Sequence, residues 1–200
     1  MNRCLICFNA VEESINHNLV CCKCLEKFVV IEKNFYYKSV EILILYAYDD
    51  FFKNLLYRYK GCYDYSLKDV FLTNYLVKLK AKYKGRKIIC APSFKGDDEI
   101  RGFNHVKEIA KNLNLEIIDC LFKTKRHKQS DQKLIDRGKI QKYIKVDKSL
   151  LNDNDKVLIF DDVATSLSTI KNIIHLLPTN IDKKVLVLAS NCRFVENELI

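Results

Sequence analysis

Two hundred residues, 48% hydrophobic and 30% charged, suit one α/β domain of ordinary size with a small appendage and exclude two full domains. Five glycines and two prolines leave no room for a long disordered linker, and 34 Lys+Arg against 25 Asp+Glu give a net charge of +9 that favours anionic partners. The longest apolar run, Ile42 to Tyr48, is far short of the roughly 20 residues that cross a bilayer, and no apolar leader follows Arg3 and Cys4, so the chain is expected in the cytoplasm.

The amino-terminal stretch holds five of the nine cysteines. Cys4 and Cys7 form one C-x2-C pair and Cys21 and Cys24 a second, thirteen residues on, which is the spacing of a four-thiolate zinc knuckle. Four protein ligands close such a site, so the ion is structural and contributes folding energy rather than chemistry. A redox pair and buried, unliganded cysteines are the alternatives. Cys22 is a spare, and Cys62, Cys90, Cys120 and Cys192 read as core. The reading divides the chain into a knuckle over 1–38 and a larger domain over 39–200.

From about residue 40 short apolar strands alternate with amphipathic helices, the pattern of a parallel α/β sheet. A helix is expected from about Ser66, ending in the cation-rich stretch Lys78 to Lys87, either a solvated helix end or a nucleic-acid contact. Arg86–Ala91, Glu116–Phe122, Lys156–Phe160 and Lys184–Ser190 read as strands. Ile100, Phe103, Val106, Ile109, Ala110 and Leu113 recur at helical spacing between the first two, and Ser168–Leu177 makes a helix before Pro178. Lys123 to Lys148 carries ten Lys and Arg against three Asp, leaving a net of only +2 for the rest of the chain. This segment is either a solvated loop or a phosphate-tracking surface containing Lys125, Arg126 and Lys128. Tyr83 and Tyr143 lie within the basic stretches and are candidates to stack on bases.

The most informative stretch is Val157 to Ile170: a strand, two adjacent carboxylates, a hydroxyl-rich turn and a helix. Ligands of open α/β sheets bind beyond the carboxyl ends of strands, and a helix start offers free N–H groups to a phosphate. Ala164, Thr165, Ser166, Leu167, Ser168 and Thr169 form the anion loop, while Asp161 and Asp162 suit a ribose diol or a magnesium ion beside it. The competing reading has the two acids merely cap the helix. Ser93 and Lys95, after the strand ending near Ala91, and Arg101 beyond them are candidate phosphate ligands, with a chain turn and a surface arginine as alternatives. His105 and His127 have no partner visible in sequence.

This stretch resembles the 5-phosphoribosyl-1-pyrophosphate (PRPP) motif of type I phosphoribosyltransferases, in which an apolar strand precedes Asp-Asp-Val-x-Thr-Thr-Gly-x-Thr-Leu. With the cysteine pairs before it, the chain resembles the ComF/ComFC proteins of bacterial natural transformation. Arg101-Gly-Phe-Asn104 is similar to that family's Arg-Gly-Phe-Asn-Gln, with His105 for Gln, and Leu56 to Gly61 is similar to its Leu-Lys-Tyr-x-Gly. Arg126, Gln132 and Arg137 loosely follow its basic segment. The resemblance implies an α/β fold, a phosphoribosyltransferase-like parallel sheet with an N-terminal zinc knuckle. It further implies PRPP with magnesium as ligand, single-stranded DNA as partner, and contact with helicase or DNA-processing proteins of DNA uptake. An active transferase acting on an unidentified acceptor is the second function it implies. One departure is Leu167 at the motif's glycine, where a left-handed backbone costs a residue with a β-carbon roughly 1–2 kcal/mol, so weakened phosphate binding is expected.

Overall fold

A computed structural model describes residues 3–11, 19–124 and 143–191. After the first cysteine pair and the short helix α1 (Cys22–Leu25), strands β1 (Val30–Tyr37) and β2 (Val40–Ala47) form a hairpin. The apolar run from Ile42 is therefore a strand. Helix α2 (Asp50–Gly61) follows, started by Asp49, whose carboxylate accepts the Phe52 N–H at 2.8 Å. Its buried face, Phe52, Leu55, Leu56 and Tyr59, keeps the spacing of one helical stripe.

The single helix expected from Ser66 is instead a 3-10 turn at Tyr65–Asp69 and the separate helix α3 (Leu76–Lys82). Tyr83, ending α3, is fully buried, which removes it as a base-stacking residue. Of the cations from Lys78 to Lys87, Lys78 pairs with Glu32, Lys82 with Glu41, Arg86 with Asp182 and Lys87 with Asp155. This stretch is thus mainly an ion-paired face of the protein.

Strand β3 (Lys87–Cys90) leads to α4 (Lys95–Arg101) and α5 (His105–Ala110). The sequence periodicity suggests one helix here, but Gly102 breaks it, taking φ +82° and bonding back to the Asp98 carbonyl. Ile100, ahead of that break, is accordingly exposed. Glu116–Phe122 does not form one strand. It touches β3 at a single parallel bridge, Ile88 to Ile117, then leaves the sheet as β4 (Leu121–Lys123), which pairs with β5 (Ile144–Val146). Strand β6 (Lys156–Ala164), helix α6 (Ser168–Leu176) and strand β7 (Asp182–Ser190) complete the described chain.

Among the described residues the main sheet runs β1-β2-β7-β6-β3, parallel throughout except for β1, so the fold is α/β with a mostly parallel sheet. Alternation along each central strand divides the core between its two faces. Leu43, Leu158, Phe160 and Leu186 pack with α2, α3, α5 and the cysteine segment, whereas Ile42, Val157, Ile159 and Val185 pack with α6. Helix α5, after β3, therefore covers one face and the helix after β6 the other, which opens a crevice at the carboxyl ends of these neighbouring strands. No helix among the described residues is long and apolar enough to cross a membrane.

Candidate phosphate-binding site and cysteine cluster

The crevice is a cavity of about 460 Å³. One wall is the turn after β3, with Ala91, Pro92, Ser93 and Phe94; another is the end of β6 and the start of α6, with Asp161, Asp162, Thr165, Ser166, Ser168 and Thr169. Helix α2 contributes Lys60, α4 and α5 contribute Arg101 and His105, and Lys123 of β4 and Tyr143, just ahead of β5, complete this group.

Both aspartates lie within β6 rather than beyond it, and both are buried. Asp162 Oδ2 accepts from Lys60 Nζ at 3.0 Å and lies 3.2 Å from His105 Nε2, while its Oδ1 accepts the Val163 N–H at 2.8 Å. Asp161 Oδ1 accepts the Asp162 N–H at 2.9 Å. Burial pushes the Asp161 carboxyl well above the usual carboxylate range, and the charge on Asp162 adds to this. Burial acts in the same direction on Asp162, but Lys60 and then His105 outweigh it and hold that carboxyl well below the usual range. The desolvated Lys60 ammonium is in turn kept above its ordinary value by Asp162. The pair is thus electrically split, with Asp162 carrying the charge.

The turn between β6 and α6 places Leu167 in the left-handed region, φ 48° and ψ 4°, with its side chain buried. A glycine-like backbone therefore forms without glycine, and the apolar side chain is anchored in the core beside α6. The Ser166 and Ser168 hydroxyls lie 2.8 Å apart at the helix start. Buried Ser190, at the end of β7, donates to the Ala164 carbonyl at 2.5 Å and ties the turn to the sheet.

Ser93 lines the cavity, donating to Asp98 and accepting from Asn104 Nδ2 at 2.9 Å. Arg101 also lines it, but Nη1 reaches Asp98 at 2.9 Å and Nε the Lys60 carbonyl at 3.0 Å. Lys95 lies apart from this group, 89% exposed and 3.8 Å from Glu99. Asn104 caps α5 by accepting the Lys107 N–H, which places His105 at the head of that helix. Lys125, Arg126, Lys128, His127 and Cys192 lie outside the described residues. Sequence reasoning missed Lys60 and the pairing of His105 with Asp162. Each depends on an interaction between elements far apart in the chain, and only the inward stripe of α2 hinted that its last turn reaches the sheet.

The sulfurs of Cys4, Cys7, Cys21 and Cys24 all lie within 4.8 Å of one another, and Cys7 and Cys21 are 3.7 Å apart. A tetrahedral zinc with bonds of about 2.3 Å sets its sulfurs about 3.8 Å apart, so the donor set fits a closed metal site. Burial raises the Cys4 thiol, but N–H groups of Cys21, Cys7 and Ile6 outweigh it and bring it down to about 6; burial pushes Cys21 and Cys24 up. Cys22 is exposed and outside the cluster; Cys90 and Cys120 are buried as expected. Cys62 is exposed at the end of α2 rather than in the core, because it caps the helix as the chain turns away.

No protein-family model matches the chain, and no curated protein does. Among solved structures, a hypoxanthine phosphoribosyltransferase from Staphylococcus aureus in a tetragonal crystal form aligns at 18% identity with a TM-score of 0.39. The alignment covers 63% of this chain and 64% of that one, so less than two thirds of that protein's length is spanned. The same enzyme in an orthorhombic form gives 17% identity over 61% of each chain, TM-score 0.37. An APRTase from Giardia lamblia complexed with 9-deazaadenine gives 16% identity over 84% of this chain and 96% of that one, TM-score 0.38.

Proposed function

We propose that the chain binds 5-phosphoribosyl-1-pyrophosphate in a ComF-type arrangement, with a structural zinc knuckle ahead of the phosphoribosyl site. The observation that carries this reading is the opening of one cavity onto both a buried aspartate pair and a hydroxyl-rich helix start. A phosphate at the head of α6 meets the N–H groups of the first turn and the hydroxyls of Thr165, Ser166, Ser168 and Thr169. Ribose hydroxyls are donors, and the carboxylates at the end of β6 are the acceptors within reach of the same cavity.

In this reading the protein handles incoming single-stranded DNA in the cytoplasm, with helicase or DNA-processing proteins of DNA uptake as partners. Lys125, Arg126 and Lys128 supply backbone contacts, and the charge excess of the Lys123–Lys148 segment is what supports them. Lys123 and Tyr143, the described residues of this segment nearest the site, line the cavity. The second reading is a transferase that passes the phosphoribosyl group to a nitrogenous acceptor. It needs mainly positioned phosphates and stabilised charge at the ribose.

Calorimetry with PRPP, followed by a pyrophosphate-release assay against the common bases with magnesium supplied, tests both. Binding without release supports the DNA-handling protein, and binding with release supports the transferase. Absence of binding overturns the phosphoribosyl site.

A further inference from the structure

Asp162 spends most of its acceptor capacity inside the protein, whereas Asp161 spends little. Asp162 takes Lys60, His105 and the Val163 N–H, and Asp161 takes the Asp162 N–H. Chemistry fixes the proton on His105. A guanidinium only donates, and Arg101 Nη1 lies 3.1 Å from His105 Nδ1, so Nδ1 accepts and Nε2 carries the hydrogen toward Asp162. Arg101 also gives its Nε to the Lys60 carbonyl and is itself held by Asp98. Arg101 therefore fixes both partners of Asp162, the backbone of one and the ring of the other.

A magnesium ion held directly on Asp162 does not fit this donor set. It requires a nearly octahedral oxygen shell at about 2.0–2.1 Å, and a cation on Asp162 would have to displace the Lys60 ammonium or sit against it. Lys60, in contrast, is built for an anionic ligand. Its ammonium has three N–H donors, Asp162 accepts one, and the side chain lines the cavity while remaining 36% exposed. The buried carboxylate holds the ammonium at the wall where pyrophosphate oxygens need positive charge, so little is lost in ordering it when ligand arrives.

We infer that Lys60 is the resident cation of the site: its ammonium contacts the anionic oxygens of the bound ligand, and binding requires no divalent ion held by the protein. This rests on the phosphoribosyl reading above and deepens it, by naming the side chain that meets the anionic oxygens of the ligand.

The test is calorimetric titration of PRPP into the full, zinc-loaded chain, with magnesium and with no added divalent ion. Chelators are left out because they would strip the cysteine cluster. Wild-type affinity is expected to agree within about threefold between the two buffers. Lys60→Gln, which keeps a hydrogen-bond donor but removes the charge, is expected to weaken binding about tenfold in both, the scale of one lost charge-assisted hydrogen bond. Lys60→Arg is expected to retain most of the affinity. A wild-type protein that loses tenfold or more without magnesium overturns the inference while leaving the phosphoribosyl reading intact. So does a Lys60→Gln protein that melts normally and binds like wild type. Should Lys60→Gln fail to fold, the wild-type comparison decides alone. Absence of wild-type binding in both buffers overturns the phosphoribosyl reading, and this inference with it.

Discussion

Arg58 Nη1 donates a 2.8 Å hydrogen bond to the Ile6 carbonyl, joining the turn between the first two cysteines to the last turn of α2. The same guanidinium lies 2.9 Å from Asp64 and sits over the Phe8 ring at 5.5 Å. Two residues further along α2, Lys60 reaches Asp162 in the cavity. One helix end thus supports both the cysteine cluster and the candidate phosphate site. Arg58→Met is expected to lower stability by about 1–2 kcal/mol, the scale of a partly exposed charged hydrogen bond, with metal content unchanged. Urea unfolding and metal analysis on the same preparation check both halves.

The purified protein is expected to carry about one zinc per chain, because four thiolates at this spacing complete a tetrahedral ion. Cys4→Ser combined with Cys24→Ser should remove it, whereas Cys22→Ser should leave it in place, since that sulfur lies outside the cluster. Elemental analysis reads this directly. Zinc that survives the double substitution would place the ion elsewhere.

The two aspartates should respond to amidation with opposite signs. Asp162 has a depressed folded pKa, so its ionisation stabilises the fold above the unfolded value of about 3.9, and that contribution is lost as pH falls through the lower folded value. Asp161 has a raised folded pKa, so it costs stability as pH rises from about 3.9 toward its folded value. Asp162→Asn is therefore expected to destabilise at neutral pH by about 2 kcal/mol, a buried-pair cost reduced because Lys60 is partly exposed. Asp161→Asn keeps an acceptor for the Asp162 N–H and should be stabilising at pH 7, with the gain shrinking toward pH 4. Thermal melts of the three proteins across this range would settle the signs.

If the basic segment tracks DNA, affinity for single strands should fall steeply with salt, with a logarithmic slope of about −0.7 per phosphate contact. Replacing Lys125, Arg126 and Lys128 with Ala should flatten that slope by about 2, one contact's worth for each cation. Unchanged slope and affinity would make the segment a solvated loop.

Features set by local chemistry were readable in the sequence: the C-x2-C pairs, the continuous apolar runs of β6 and β7, and the strand–acid–hydroxyl–helix order around Asp161. The breaks were not. Gly102 interrupts a stripe whose periodicity continues on both sides, and Ile117 pairs with β3 for one bridge before the chain departs, because sheet membership is decided by neighbours distant in sequence. Helical spacing over Ser66–Lys82 likewise concealed a 3-10 turn. In the site, position after the strand ending near Ala91 pointed to Lys95, whereas the fold delivers Lys60 from the last turn of α2.

Leu167 sets backbone strain against burial, and the outcome can be read from two substitutions. At φ 48° a residue with a β-carbon bears roughly 1–2 kcal/mol of strain, which glycine escapes. The Leu167 side chain is only 1% exposed and packs in the core beside α6, where truncation of a leucine costs about 2–5 kcal/mol. Burial wins, so both Leu167→Gly and Leu167→Ala should be less stable than wild type. Alanine loses the packing and keeps the strain, so the glycine variant should be the more stable of the two by about 1 kcal/mol, the reverse of their order inside a helix. Because the left-handed turn forms with leucine in place, PRPP affinity of wild type and Leu167→Gly should agree within about threefold, less than 1 kcal/mol. A tenfold gain for the glycine variant would mean that leucine holds the loop away from the phosphate. An alanine variant as stable as the glycine one would mean that residue 167 leaves the left-handed region in solution.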